Sequence, residues 1–429
     1  MAVSVERAFA LRGLSAIVIA LAFLILSISS TNIESDNHDH LMSGNRSFSF
    51  AVGDHPDGVE IGDVDGDGVN EVIATSRNPN RIHIFDIPEW DSPIRAQTIN
   101  VLGDPALIAL GDLDGNERTD IALTDVRGFA SFEVLLQQEN GSLVWQTPYS
   151  FASVPSSRAI AIGDVDSDSQ NEVVIATEDD SPNHMYVYGW NGVDRLQQEG
   201  EYEISDNVVA FAIDDLNNDG RNDVAVSGWP SGSVHIFYQD SNGSLLPDSP
   251  VEVLRNRNME GICIADVNDD GLNDIVVSGS YSAYVAILKQ RSSGGFQPPR
   301  FHYLKGGGNA EDVVVGDLDK DGVNEVVVAN NYEDCIEVVS LDRDGVMQHA
   351  TVLPGGDGAN EMAIGNITEN GDLEIVLSNW DEGSITVYHI EYLAPRPFPT
   401  LLIVAAAVFV IITSMVGILA LMRSKFVDF

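Results

Sequence analysis

Ile61–Ala74 reads IGDVDGDGVNEVIA, and the spacing inside this stretch decides the fold. Oxygen-bearing side chains fall at loop positions 1, 3, 5 and 9: Asp63, Asp65, Asp67 and Glu71. A hard cation such as calcium takes six to eight oxygens at about 2.3–2.6 Å, and alternate carboxylates on a tight turn aim at one point. Gly68 permits the turn. The loop closes at position 9, not at position 12 as in an EF-hand, and runs directly into β-branched residues. Strands, not helices, therefore flank it.

The same pattern returns six times. Its copies are Asp112, Asp114, Asn116 and Asp120; Asp164, Asp166, Asp168 and Glu172; Asp215, Asn217, Asp219 and Asp223. Three more follow: Asp266, Asn268, Asp270 and Asp274; Asp317, Asp319, Asp321 and Glu325; and Asn366, Thr368, Asn370 and Glu374. The steps between first positions are 49, 52, 51, 51, 51 and 49 residues. A period of about 50 residues suits one four-stranded propeller blade. Position 9 is acidic in all seven copies. The seventh offers a single carboxylate, which predicts weak binding or none. Loops two and three carry Glu117 and Ser169 where the others have the position-6 glycine.

Each unit has the same internal order. Before the ion loop, large residues such as Ile108, Leu110, Ile160 and Ile162 alternate with small ones such as Ala109 and Ala161. Both faces of such a strand are buried, as in the innermost strand of a blade. A second strand follows the loop, then a third (RIHIF from Arg81, SVHIF from Ser233), then Gly-containing hairpins such as Asn140-Gly141, Asn191-Gly192 and Asn242-Gly243. A more polar fourth strand ends the unit. The last unit stops after its third strand, while Ser47–Val52 (SFSFAV) precedes the first loop as a fourth strand would. This predicts that the first strand of the chain completes the last blade and closes a seven-bladed ring.

The net charge of −44 excludes a nucleic-acid partner, because phosphate binding needs clustered Lys and Arg. Two cysteines, Cys263 and Cys335, sit at non-equivalent repeat positions, and Cys263 reads as a small buried hydrophobe. At the start, Arg7 and Arg12 precede the apolar run Leu14–Ile28, so residues 1–30 read as an export signal or signal anchor and 31–46 as a polar linker. Residues 47–392 hold the propeller. The segment 393–400 is a Pro-rich stalk, and 401–422, 22 residues without a charge, is long enough to cross a bilayer. Arg423 and Lys425 within the tail 423–429 place it in the cytoplasm and the propeller outside, at the cell surface.

Taken together, the seven loops, the period and the strand order over Ser47–Tyr392 resemble the FG-GAP and VCBS-type repeat family, which includes integrin α-subunit propellers. The resemblance implies an all-β, seven-bladed propeller with calcium between the first and second strands of each blade. The Phe-Gly and Gly-Ala-Pro letters are largely absent and no ligand-binding domain is inserted, so integrin partners do not carry over.

On the face opposite the ion loops, the turns after the second strands carry Trp229, Tyr281, Tyr332 and Trp380. Polar residues at the entries to the inner strands add Asp57, Arg158, Asn207, Asn258, Glu260, Asn309, Glu311 and Asn360. Aromatic platforms beside hydrogen-bonding groups suit a glycan or a protein ligand. The expected function is therefore a membrane-anchored adhesion or recognition module with structural calcium. No nucleophile triad, metal-hydrolase motif or phosphate loop is present. An extracellular hydrolase or lyase using Asp57, Glu260 and Glu311, and a passive cell-envelope component, stay open as alternatives.

Overall fold

Each repeat folds into one antiparallel sheet with neighbouring strands in chain order; the fourth sheet carries an extra short strand, Val251–Glu252, and the seventh takes its outermost strand from the start of the chain. The computed structural model describes residues 42–126, 132–146, 149, 157–177, 183–255, 257–280, 283–342, 344–368 and 371–392. The export segment, the stalk, the apolar span 401–422, Tyr281 and Asn370 lie outside them. Among the described residues no helix is long and apolar enough to cross a membrane.

The first strands of the seven blades are Val59–Gly62, Pro105–Gly111, Ser157–Gly163, Asn207–Asp214, Met259–Ala265, Ala310–Gly316 and Ala359–Gly365. Each packs on the first strands of both neighbouring blades, and blade seven packs on blade one, so the cycle is complete. Exposure grows outward. The second strand Asp120–Asp125 is buried at every residue, whereas the fourth strand Ile94–Asn100 is almost wholly exposed.

No single core exists. Seven apolar clusters occupy the seven interfaces between blades. The alternation in the first strands explains how they fit. Ile108 joins the cluster facing blade one while Ala109 joins the one facing blade three; Ile160 and Ala159 divide in the same way. Large side chains point to the preceding blade and small ones to the following blade. Cys263 lies on the small side, packed against the cluster shared with blade six, and both cysteines are free thiols. At the end of the first strand, a Cβ on Gly111 would stand 2.5 Å from Ile162 of the next blade, a contact only glycine avoids.

The ring closes through the chain's own beginning. Met42–Ala51 pairs antiparallel with Ser384–Tyr392, with Met42 opposite Tyr392 and Ala51 opposite Ser384. The strand thus starts at Met42, five residues ahead of the apolar alternation that marked it in the sequence. Backbone pairing needs only a partner edge, and Ser384–Tyr392 is long enough to supply one. Phe50 meets Phe85 of blade one at 4.7 Å between ring centroids, and Phe48 meets Trp90 at 4.9 Å. The closing strand therefore completes one sheet and seals the interface with the next.

Candidate metal centres and the axial channel

The ion loops are built by their own carboxylates. In loop one Asp63 accepts the N–H groups of Gly66 and Gly68, Asp65 accepts that of Asp67, and Asp67 accepts that of Val69. Glu71 turns back to accept the Val64 N–H at 2.9 Å. The same return bond runs from Leu113 to Asp120, Val165 to Glu172, Leu216 to Asp223, Leu318 to Glu325 and Ile367 to Glu374. The position-9 acid is thus a structural staple with one oxygen and a candidate ligand with the other. Glu117 and Ser169, standing where other loops have glycine, take the same left-handed conformation at φ 64° and 72°. Such residues bear a cost of about 1 kcal/mol there, which the loop contacts offset.

In loops one, two, three and six the acids at positions 1, 3 and 9 converge, each offering one oxygen, all within 4.8 Å of one another. These sets are Asp63, Asp65 and Glu71; Asp112, Asp114 and Asp120; Asp164, Asp166 and Glu172; Asp317, Asp319 and Glu325. The position-5 carboxylates Asp67, Asp168 and Asp321 stand outside these sets. A hard cation fits on a separate observation. Asp114 Oδ1 and Asn116 Oδ1, at positions 3 and 5 of loop two, are buried oxygens without a hydrogen-bond partner. Burial raises Glu71, Glu172 and Glu325 to about 8 and Asp120 to about 7, against the backbone N–H groups that lower them and with neighbouring loop carboxylates adding to the rise. Acids held this way call for a proton or a cation.

Loops four, five and seven differ. Asn217 donates its side-chain amide to Asp223 at 3.1 Å, and Asn268 donates to Asp274 at 2.8 Å. Each amide would have to turn over to present its oxygen to a cation. Asp215, Asp219, Asp266 and Asp270 bind loop N–H groups in the same way as in loop one. In loop seven Thr368 and His389 both meet Glu374 Oε1, at 3.1 and 3.2 Å, while Ile367 N–H occupies Oε2.

The first strands enclose an axial channel of about 810 Å³. Among the described residues its acids are Asp57, Glu60, Glu260, Glu311, Asp312, Glu361 and Asp381, with Arg77 as the one cation of the lining. Arg77 pairs with Asp57 and lies over the Trp380 ring at 4.7 Å; Asn360 donates to Asp57 at 2.9 Å. Deeper in, Asp312 accepts the N–H groups of Met362 and Val313 and hydrogen-bonds the Glu361 carboxyl. Burial, with Asp312's charge, raises Glu60 to about 8; burial raises Asp312 to about 6 and Glu361 well above the carboxylate range.

Comparison with known proteins places the architecture. The FG-GAP-like repeat matches residues 112–175, 164–226, 215–277 and 266–328, together just over half of the chain. The chain belongs to the FG-GAP-like repeat family. Integrin alpha-3 from Cricetulus griseus and from Mus musculus are each 35% identical to it over 100 residues, covering 20% of this chain and 9% of theirs. The stretch shared with these curated relatives is thus less than a tenth of their length. Among solved structures, BBS1N in complex with ARL6DN superposes with a TM-score of 0.56 at 12% identity, over 82% of this chain and 96% of that one. A protein from Lactobacillus plantarum gives 0.52 at 15% identity, over 71% and 86%. Identities this low speak for the fold alone.

Within this FG-GAP propeller the outward aromatics divide. Tyr332 is 73% exposed on the short 3-10 turn Asn331–Glu333. Trp380 lines the channel mouth under Arg77, with His55 edge-on at 5.0 Å, and Trp229 is half-buried beside Pro230. Asp57, Glu260, Glu311 and Asn360 line the channel, while Asn207 accepts the Asn183 amide and Asn309 donates to Glu311. Sequence reasoning missed Glu60, Asp312 and Glu361. Their only signal was an acid inside an otherwise apolar first strand.

These channel acids make a pH dependence. Glu60 titrates near 8 in the folded chain against 4.5 ordinarily, so between those values the folded state holds the extra proton. Its contribution is full below about 4.5 and is lost as pH rises through about 8. In saturating calcium, the melting temperature is expected to fall by a few degrees from about pH 5 to about pH 8. Glu60→Gln should flatten that slope; an unchanged slope would remove Glu60 as its source.

Proposed function

We propose that this propeller is a calcium-loaded recognition module at the cell surface, binding a protein or glycan ligand through the face opposite its ion loops. The carrying observation is the exposed Tyr332, which directly follows Asn331, a residue that lines the channel together with Asn360 and Trp380. An aromatic so exposed, next in the chain to an amide of the channel lining, offers a flat apolar surface with a hydrogen-bonding group at its side. The four converging carboxylate sets support structural calcium, and the likeness of one stretch to integrin alpha-3 supports an adhesion-type role. Membrane anchoring rests on the apolar sequence 401–422 and on the cations that follow it.

The test is capture of the full chain on glycan and peptide arrays in calcium and in chelator. Tyr332→Ala should weaken capture of the identified ligand about tenfold, the loss of roughly 1.4 kcal/mol. Its melting temperature should match the parent, because so exposed a side chain contributes little to packing. Undiminished capture by this variant would move the site elsewhere.

A further inference from the structure

We propose that calcium binding is cooperative along the run of loops two to six, and that the asparagine beside the position-9 ligand in loops three to six carries the coupling. The juxtaposition is Asn171, next to Glu172 of loop three, donating its side-chain amide at 3.0 Å to the backbone carbonyl of Asp112, position 1 of loop two.

The bond is a repeated device. Asn222 donates to Asp164 O at 3.0 Å, Asn273 to Asp215 O at 3.1 Å, Asn324 to Asp266 O at 2.7 Å and Asn70 to Asn366 O at 2.9 Å. Each spans two blades. Each ties the residue before one loop's last ligand to the residue supplying the preceding loop's first. Four of them link loops two to six into one run. Position 8 is Thr119 in loop two and Leu373 in loop seven. Leu373 packs instead against Gly316 of blade six, with its Cδ1 3.2 Å from where a Cβ would stand. At the first of these junctions Gln137 reaches Asp63 O at 3.2 Å from the third strand, not from a ligand's neighbour.

The hairpins add a second contact. Gly141 of blade two sits so close over loop one that a Cβ would stand 2.2 Å from Asp65 O; Gly243 of blade four sits in the same way over Asp166 O of loop three. Ser167 of that loop also bonds Gln239 of blade four.

The physical consequence follows from ordering. A cation in loop three fixes Glu172 and with it the Asn171 amide. That amide holds the Asp112 backbone, whose carboxylate already gathers the N–H groups of Gly115, Asn116 and Glu117. Part of the entropy that loop two must lose on binding is then already lost, so its cation binds more tightly; the effect is reciprocal. This inference rests on the calcium reading above.

Calcium bound to the full chain, measured by equilibrium dialysis with radioactive calcium, separates the outcomes. The parent should give a Hill coefficient clearly above 1, reflecting a roughly fivefold coupling per neighbouring pair. Asn171→Leu with Asn222→Leu should lower it clearly, because loop three then loses both of its asparagine links. Asn70→Leu should leave it unchanged, because that bond ends on loop seven, whose one carboxylate is engaged by protein groups. Should the double variant fail to fold, Glu172→Gln removes one cation from the run, and the remaining sites should weaken about threefold. Non-cooperative binding by the parent, a slope untouched by the double variant, or unshifted sites in Glu172→Gln would each overturn the proposal. Absence of bound calcium in the parent would overturn the calcium reading with it.

Discussion

A chain lacking residues 42–52 is expected to aggregate, or to melt without a cooperative transition, in place of the single sharp transition of the parent. The deletion strips the pairing of Met42–Ala51 from Ser384–Tyr392 and leaves that strand as an open edge, a template for pairing with other copies. It also removes Phe48, Phe50 and Val52 from the interface between blades seven and one. At about 1.5–3 kcal/mol for each large apolar side chain buried, that interface alone forfeits several kcal/mol. The whole stability of a typical domain is only about 5–15 kcal/mol. The ring's topology sharpens the effect, since an opened ring exposes two blade faces instead of none. A synthetic peptide of residues 42–52 added in trans should restore a cooperative melt by strand addition. A truncated chain that melts like the parent would show that closure contributes nothing.

The second large effect is removal of calcium. Extracellular calcium modules bind at about 10⁻⁴–10⁻³ M, so ~10 mM calcium stabilises the folded ring by ~1–3 kcal/mol per site. Over the four converging sets this comes to the order of 5–10 kcal/mol, and chelation should lower the melting temperature by on the order of 10 °C. Magnesium should restore little of it, because its strict octahedron and short bonds suit these wide loops poorly. The pH dependence in chelator has a definite sign. Glu71, Glu172 and Glu325, raised to about 8 from 4.5, hold protons in the folded state across that window. Their contribution is full below about 4.5 and vanishes as pH climbs to about 8, so the metal-free protein is expected to melt higher at acid pH. Calcium displaces those protons and should erase this part of the dependence. A melting temperature indifferent to chelator would argue for loops held by their N–H bonds alone.

Much of this architecture was legible because it repeats. The position-9 acids, the large-small alternation in the first strands and the glycine hairpins each recur at one register, and recurrence at about 50 residues has few structural solutions. The missing fourth strand of the last blade was legible as well, since SFSFAV stands where a fourth strand belongs. Other features were present in the letters without being readable. Asn70, Asn171, Asn222, Asn273 and Asn324 share position 8, yet nothing in the sequence says that their amides reach a carbonyl 58 or 59 residues back, or across the closure to Asn366. Glu60, Asp312 and Glu361 look like isolated polar residues within apolar strands. They are neighbours only because the first strands of blades one, six and seven meet at the axis.

By itself, then, the sequence determined the repeat, the blade order, the cation-seeking chemistry of the loops and the strand that closes the ring, all of which depend on local spacing. Tertiary structure alone decided which carboxylates converge, which loop oxygens are left without a partner, how the loops are tied to one another and how acids gather at the axis. The first two depend on how each loop's own backbone bonds turn its side chains, and the last two on side chains from different blades meeting in space. Circular closure brings together residues whose separation along the chain carries no trace of their contact.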